Sequence, residues 1–130
     1  MRILFIFIFS VILLRGAPLL SFNPNLQIPK QLQQQIERYW AARMQKKFDI
    51  SYRYEIPYQQ YIYTKGWYMN FFKDAPLFSS AQVKKLVCKK NHCTVGILLK
   101  NGDTKLFLYD RWFYVGDRWY HLFRDRALPF

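Results

Sequence analysis

A chain of 130 residues is long enough for one hydrophobic core and too short for two. Its formal net charge of +12 favours anionic partners such as phospholipid headgroups, acidic polysaccharide, nucleic acid or an acidic protein, without choosing among them. No metal-ligand cluster, glycine-rich phosphate loop or Ser-His-Asp spacing stands in the sequence, so no metal and no cofactor is expected.

Residues 1–20 read as a leader. Arg2 precedes an unbroken apolar run over 3–9, which resumes after Ser10 and stops at Arg15-Gly16-Ala17-Pro18. A run of this length behind one basic residue fits a secretory signal, whereas a spanning helix needs about 20 apolar residues. A short uncleaved anchor is the alternative, because no clean small-x-small cleavage site follows. Export is therefore expected, to the periplasm or the membrane surface. Losing Arg2 and Arg15 with the leader would take the charge from +12 to +10. Residues 21–28, with Asn23-Pro24-Asn25, read as a linker and 29–130 as the domain.

Pro29 opens an amphipathic helix in which Leu32, Ile36, Trp40, Met44 and Phe48 form an i+4 ladder with Tyr39 beside it. Asp49 is expected to cap a second short helix over 50–56, ended by Pro57. The alternating tyrosines of that stretch leave a strand open as the other reading. Thr64 is expected to cap a third helix reaching about Phe72.

Four strand-like runs follow over 80–88, 93–100, 105–115 and 118–124, joined by 89–92, Asn101-Gly102 and Gly116-Asp117. Glycine and asparagine turns supply the positive φ of tight hairpins, so the runs form a four-stranded antiparallel meander. Centring the turns on these pairs sets Val95 opposite Leu108, Ile97 opposite Leu106, Tyr114 opposite Trp119 and Trp112 opposite His121. One face then carries Val95, Ile97, Leu99, Leu106, Leu108, Asp110, Trp112, Tyr114, Trp119, His121 and Phe123, and is expected to meet the helices. With Trp40 from the first helix, Trp112, Tyr114, Trp119 and His121 are the candidate pocket residues. The other face carries Phe107, Tyr109, Arg111, Phe113, Tyr120 and Leu122, too aromatic to be wholly wet. It is read as an association surface, with a homodimer as the first expected partner and an envelope protein or anionic surface as the others. In an exported chain nucleic acid is not expected there. Lys84 would point inward, so a bulge is expected near Lys84-Lys85.

Cys88 and Cys93 oppose one another across the first turn and read as a disulfide, which an oxidising compartment would keep. His92 raises metal binding as the alternative; two adjacent lysines and the lack of a second ligand pair weigh against it.

Helices first and a curled meander second, Tyr39-Trp40, Tyr52-x-x-Glu55-x-Pro57, the Cys88 to Cys93 arm and the closing Arg111-Trp112-Phe113-Tyr114-Val115-Gly116-Asp117-Arg118-Trp119-Tyr120 together resemble the small exported NTF2-like proteins of bacteria. The resemblance implies an α+β, cystatin-like cone and no shared chemistry.

Asp110 and His121 are the candidate catalytic residues, diagonal neighbours on the inward face and able in principle to do general acid-base work. A satisfied polar pair is the structural alternative, on which His121→Gln would cost on the order of 1 kcal/mol. Glu55, beside Tyr52 and Tyr54, is a second candidate, with surface solvation as its favoured reading. The expected role is a binding or assembly module of the envelope. An isomerase- or hydrolase-type enzyme using Asp110 and His121, or a membrane-tethered subunit of an envelope complex, are the alternatives.

Overall fold

The computed structural model describes residues 19–123. The leader reading lies outside these residues except at its last two positions, and the expected end of the last strand at Arg124 lies outside them as well.

Helix α1 (Lys30–Met44) begins directly after Pro29 and buries Leu32, Ile36, Tyr39 and Trp40 as the ladder requires. Lys46, at φ 59°, ends it by turning the chain through the left-handed region. Phe48 therefore leaves the ladder and starts a new short helix, α2 (Phe48–Ser51), where it packs with Tyr68 and Phe72 in a second apolar cluster. A single 3-10 turn (Tyr52–Tyr54) follows, so the helix expected over 50–56 does not form and Asp49 caps nothing. Pro57 opens helix α3 (Pro57–Ile62) instead of closing one. A proline at the first helical position sacrifices no hydrogen bond and arrives with a helical φ, which is why the same residue can stop or start a helix. Helix α4 (Lys65–Phe72) is capped as expected, with the Trp67 amide donating to Thr64 Oγ1 at 3.2 Å.

Strands β2 (Ser80–Lys89), β3 (His92–Asn101), β4 (Thr104–Val115) and β5 (Arg118–His121) form the expected antiparallel meander. The sheet has five strands and is mixed, because β1 (Leu19–Phe22) pairs in parallel with the start of β2, Leu20 opposite Ala81. This corrects the four-stranded antiparallel expectation and turns Ser21 and Phe22 from linker into strand. Without β1 the first half of β2 would be a bare edge. Leu20 and Phe22 also pack against the main core.

The Gly116 hairpin has the expected register, with Trp112 opposite His121 and Tyr114 opposite Trp119. The preceding hairpin turns on Gly102-Asp103, so Val95 opposes Asp110 and Ile97 opposes Leu108. Moving the turn centre by one residue slides the partners by two, which leaves every side chain on its expected face. A bulge interrupts the ladder between Val83 and Lys85, keeping Val83 in the core while Lys85 stays outside. Cys88 opposes Cys93 and a disulfide joins them.

Val95, Ile97, Leu99 and Trp112 form the floor of the core against α1. Two positions depart from the face assignment. Leu106, beside the Gly102 turn, is 46% exposed, and Leu122 is buried because β5 ends at His121 and the chain leaves the alternation there. On the outer face, a Cβ at Gly96 would stand 2.9 Å from the Phe107 ring and 3.2 Å from Lys85 Cβ. Phe107 thus lies over bare backbone, a cross-strand cover that a glycine in mid-strand invites.

Gly96→Val should therefore destabilise the fold by about 1–3 kcal/mol in urea unfolding, through overpacking. Adding Phe107→Ala should recover a large part of that loss. Simple additivity of the two penalties would show that the ring does not cause the clash.

Candidate functional site

The polar centre of the molecule is assembled from six separate segments of the chain. Asp110 projects inward from β4 and His121 from β5, diagonal across the hairpin, and His121 Nε2 stands 3.1 Å from Asp110 Oδ1. Glu55 follows the 3-10 turn, where the chain runs beside β5 in a single parallel bridge to His121, and the Ile56 amide donates to the His121 carbonyl at 2.8 Å. This places Glu55 Oε1 2.6 Å from His121 Nδ1.

Every remaining carboxylate oxygen has a donor. Tyr39 of α1 and Tyr68 of α4 donate to Glu55 Oε2 at 2.8 and 2.7 Å. The indole of Trp40 donates to Asp110 Oδ2 at 2.7 Å. Arg43, one turn after Tyr39, donates to the Tyr39 hydroxyl at 2.8 Å and holds its guanidinium 4.0 Å from the Phe72 ring centre. Tyr68 spends its one hydrogen on the carboxylate, so Ser51 Oγ, 2.8 Å away, donates to it in turn.

Glu55 is 1% exposed, His121 4% and Asp110 7%. An imidazole gripped by a carboxylate on each nitrogen is satisfied only when both nitrogens carry a proton. Burial pulls the His121 pKa down, but the charges of Glu55 and Asp110 and their hydrogen bonds outweigh it and push the value up to about 9. The ring also stacks on Tyr39, with centroids 4.2 Å apart. Burial, followed by the Glu55 charge, raises the Tyr68 pKa; burial also holds the Tyr39 phenol well above its usual range against the opposing pull of Arg43. Two carboxylates, an imidazolium and a guanidinium thus meet with their charges balanced. Because the imidazole ring separates the carboxylates, they do not converge on a common point where an ion could sit.

The expected pocket residues come together as packing. Trp40, Trp112, Trp119 and His121 are buried and Tyr114 half-buries its ring against Trp119, so these side chains fill the space between the helices and the curled sheet. Next to the polar centre, a cavity of about 20 Å³ between Trp40, Arg43 and residues 75–78 has room for roughly one water. The outer-face residues are less uniform than expected. Phe107 and Tyr109 are exposed and pack edge to face, while Phe113 stacks on His92 at 4.6 Å. Tyr120 is half-buried, and Arg111 Nε donates to His92 Nε2 at 3.3 Å.

Glu55 was expected in solvent and is instead the most heavily hydrogen-bonded carboxylate described. Tyr68, Arg43 and Ser51 carried no site assignment from sequence at all. The one local signal was the Tyr39 to Arg43 spacing on a helix face.

The raised pKa of His121 fixes the sign of a pH dependence. Its contribution is fully present below the unfolded value of about 6.5 and is lost as pH rises through about 9, an effect on the order of 3 kcal/mol. Tyr39 and Tyr68 act in the same direction at higher pH, since their ionisation favours the unfolded chain. His121→Gln leaves two buried carboxylates without their cation, so its cost should be about 3–5 kcal/mol near neutral pH and not the modest loss expected from sequence. Urea midpoints measured from pH 6 to 10 should fall for the wild type and stay flatter for His121→Gln. Equal slopes would refute the imidazolium.

No protein-family model and no curated protein matches this chain. Among solved structures it is similar to a SEC-C motif containing protein from Psychrobacter arcticus, with a TM-score of 0.59 at 16% identity over 78% of this chain. It is also similar to RPA3114, a SEC-C motif containing protein from Rhodopseudomonas palustris, with a TM-score of 0.51 at 17% identity over 68% of this chain. The matches span 64% of the first protein and 72% of the second. At such identities the likeness establishes the α+β fold, helices followed by a curled sheet, and nothing of function.

Proposed function

We propose that the chain is an exported, basic binding or assembly module of the cell envelope, built on an NTF2-like, cystatin-like cone and acting through its surface without catalysis. The observation that carries this reading is the closure of the polar centre. A general acid or base must reach the proton it transfers. Both nitrogens of His121 are held by buried carboxylates. An isomerase or hydrolase using Asp110 and His121 would have to open the core to admit a substrate.

Helix-first order and the curled sheet support the cone. Export is supported by the composition of residues 1–18 and by the Cys88–Cys93 disulfide, a bond that oxidising compartments preserve. A membrane-tethered subunit of an envelope complex differs from this reading in keeping the apolar leader.

The surface proposed to associate is the outer sheet face, where Val87 is 61% and Tyr109 59% exposed beside Phe107. A second copy of the chain is the first partner, staggered so that Lys85 and Arg111 avoid their counterparts. Sedimentation velocity should find a dimer for the wild type and a monomer for Tyr109→Glu, with unchanged far-ultraviolet circular dichroism. A wild-type chain that stays monomeric at high concentration overturns self-association.

A further inference from the structure

The helical half turns a second apolar surface outward, distinct from the outer sheet face. Across α3 and α4, Tyr61 is 91% exposed, Ile62 53%, Phe71 49% and Trp67 40%. Helix α4 buries Tyr68 and Phe72 on its inner side. On its flank the Trp67 ring stacks between Tyr63, at 4.7 Å, and Phe71, at 5.2 Å, so three rings form a ladder along the surface.

The charge along this stretch is net positive, with Asp74, also exposed, following Lys73. Residues 56–73 contain Lys65 and Lys73, both exposed, and no acidic side chain. Tyrosine and tryptophan gather at membrane-water interfaces because their rings are apolar bodies with a polar edge. Lysines beside them meet lipid phosphates and add to the attraction of an anionic leaflet.

We propose that the α3–α4 face docks on an anionic phospholipid surface, with Tyr61, Ile62, Trp67 and Phe71 entering the headgroup region and Lys65 and Lys73 on the phosphates. The contact is peripheral, since among the described residues no helix is long and apolar enough to cross a membrane. A second feature points to the same partner. The chain as a whole carries a formal charge of +12, a balance that draws it to an anionic surface. An acidic protein would meet the same lysines, but a ladder of interfacial aromatics flanked by lysines is the pattern of an amphipathic lipid-facing surface.

Tryptophan fluorescence isolates this face. Trp40, Trp112 and Trp119 are 3%, 0% and 8% exposed, residues 1–18 contain no tryptophan, and Trp67 is the accessible reporter. The full chain should be titrated with phosphatidylcholine vesicles containing phosphatidylglycerol, the acyl chains brominated. The wild type should be quenched, and Trp67→Phe, which keeps an apolar ring, should lose most of the quenching. Lys65→Gln should weaken partitioning about fivefold, and Phe71→Glu should weaken it further, with circular dichroism confirming the fold. Quenching that survives Trp67→Phe, or that is equal on neutral phosphatidylcholine vesicles, overturns the proposal. So does a Phe71→Glu variant that changes the oligomeric mass while the wild type is quenched by neither vesicle, which would make the face a protein contact.

Discussion

The imidazolium of His121 held between Glu55 and Asp110 is the constraint on which the rest of the structure depends. Hydrophobic burial is non-directional and would tolerate several seatings of the helices on the sheet. A buried carboxylate tolerates very few, because each oxygen without a donor costs more than the packing around it returns. Glu55 needs Tyr39, Tyr68 and His121 together, and these come from α1, α4 and β5. Asp110 needs Trp40 and His121. The network therefore specifies the angle of α1 across the sheet and the path of the chain between α2 and α3. Whether an apolar replacement of the whole set would be more stable is a separate matter; removal of any one member strands the others.

The sheet delivers the two sheet-borne members of this set through register alone. With Trp112 opposite His121, Asp110 falls on the diagonal of the same face, within reach of the ring. A slip of one residue would send both side chains to the outer surface and leave Glu55 alone in the core. The Gly116 turn, at φ 66°, is what forbids that slip. At the other end the Cys88–Cys93 disulfide closes a loop so short that it removes little entropy from the unfolded chain.

What was legible in the sequence was what local chemistry decides. Gly116, the cysteine pair, the Thr64 cap and the charge conflict at Lys84 each carry their structural consequence within a few residues, and the inward face followed from them. The Gly102 turn shows how robust that inference is, since its centre was misplaced by one residue and the faces survived. The misses need partners far along the chain. β1 straddles the boundary drawn between leader and linker, and only its pairing with Ser80–Val83 makes it a strand. Glu55 sits among tyrosines with nothing local to keep it from water, and the imidazole that neutralises it is 66 positions away. Pro57 could stop a helix or start one, and the docking of Ile56 on β5 decides between the two.

The buried centre also sets the character of the surface. Of eight acidic residues, Glu55 and Asp110 are consumed inside, and among the described lysines and arginines only Arg43 is drawn into the network. With His121 charged the network sums to zero, so the remaining 19 basic and 6 acidic groups carry the chain's entire charge, +13 in that state. Satisfying the core thus withdraws anions and cations in equal number and leaves the positive balance to the groups outside it. A partner approaching the outer sheet face or the α3–α4 face meets aromatic rings set among cations, and salt should weaken its encounter more than its final apolar contact. The same requirement that orders the helices on the sheet thus keeps the chain's positive charge outside the network, where an anionic partner can meet it.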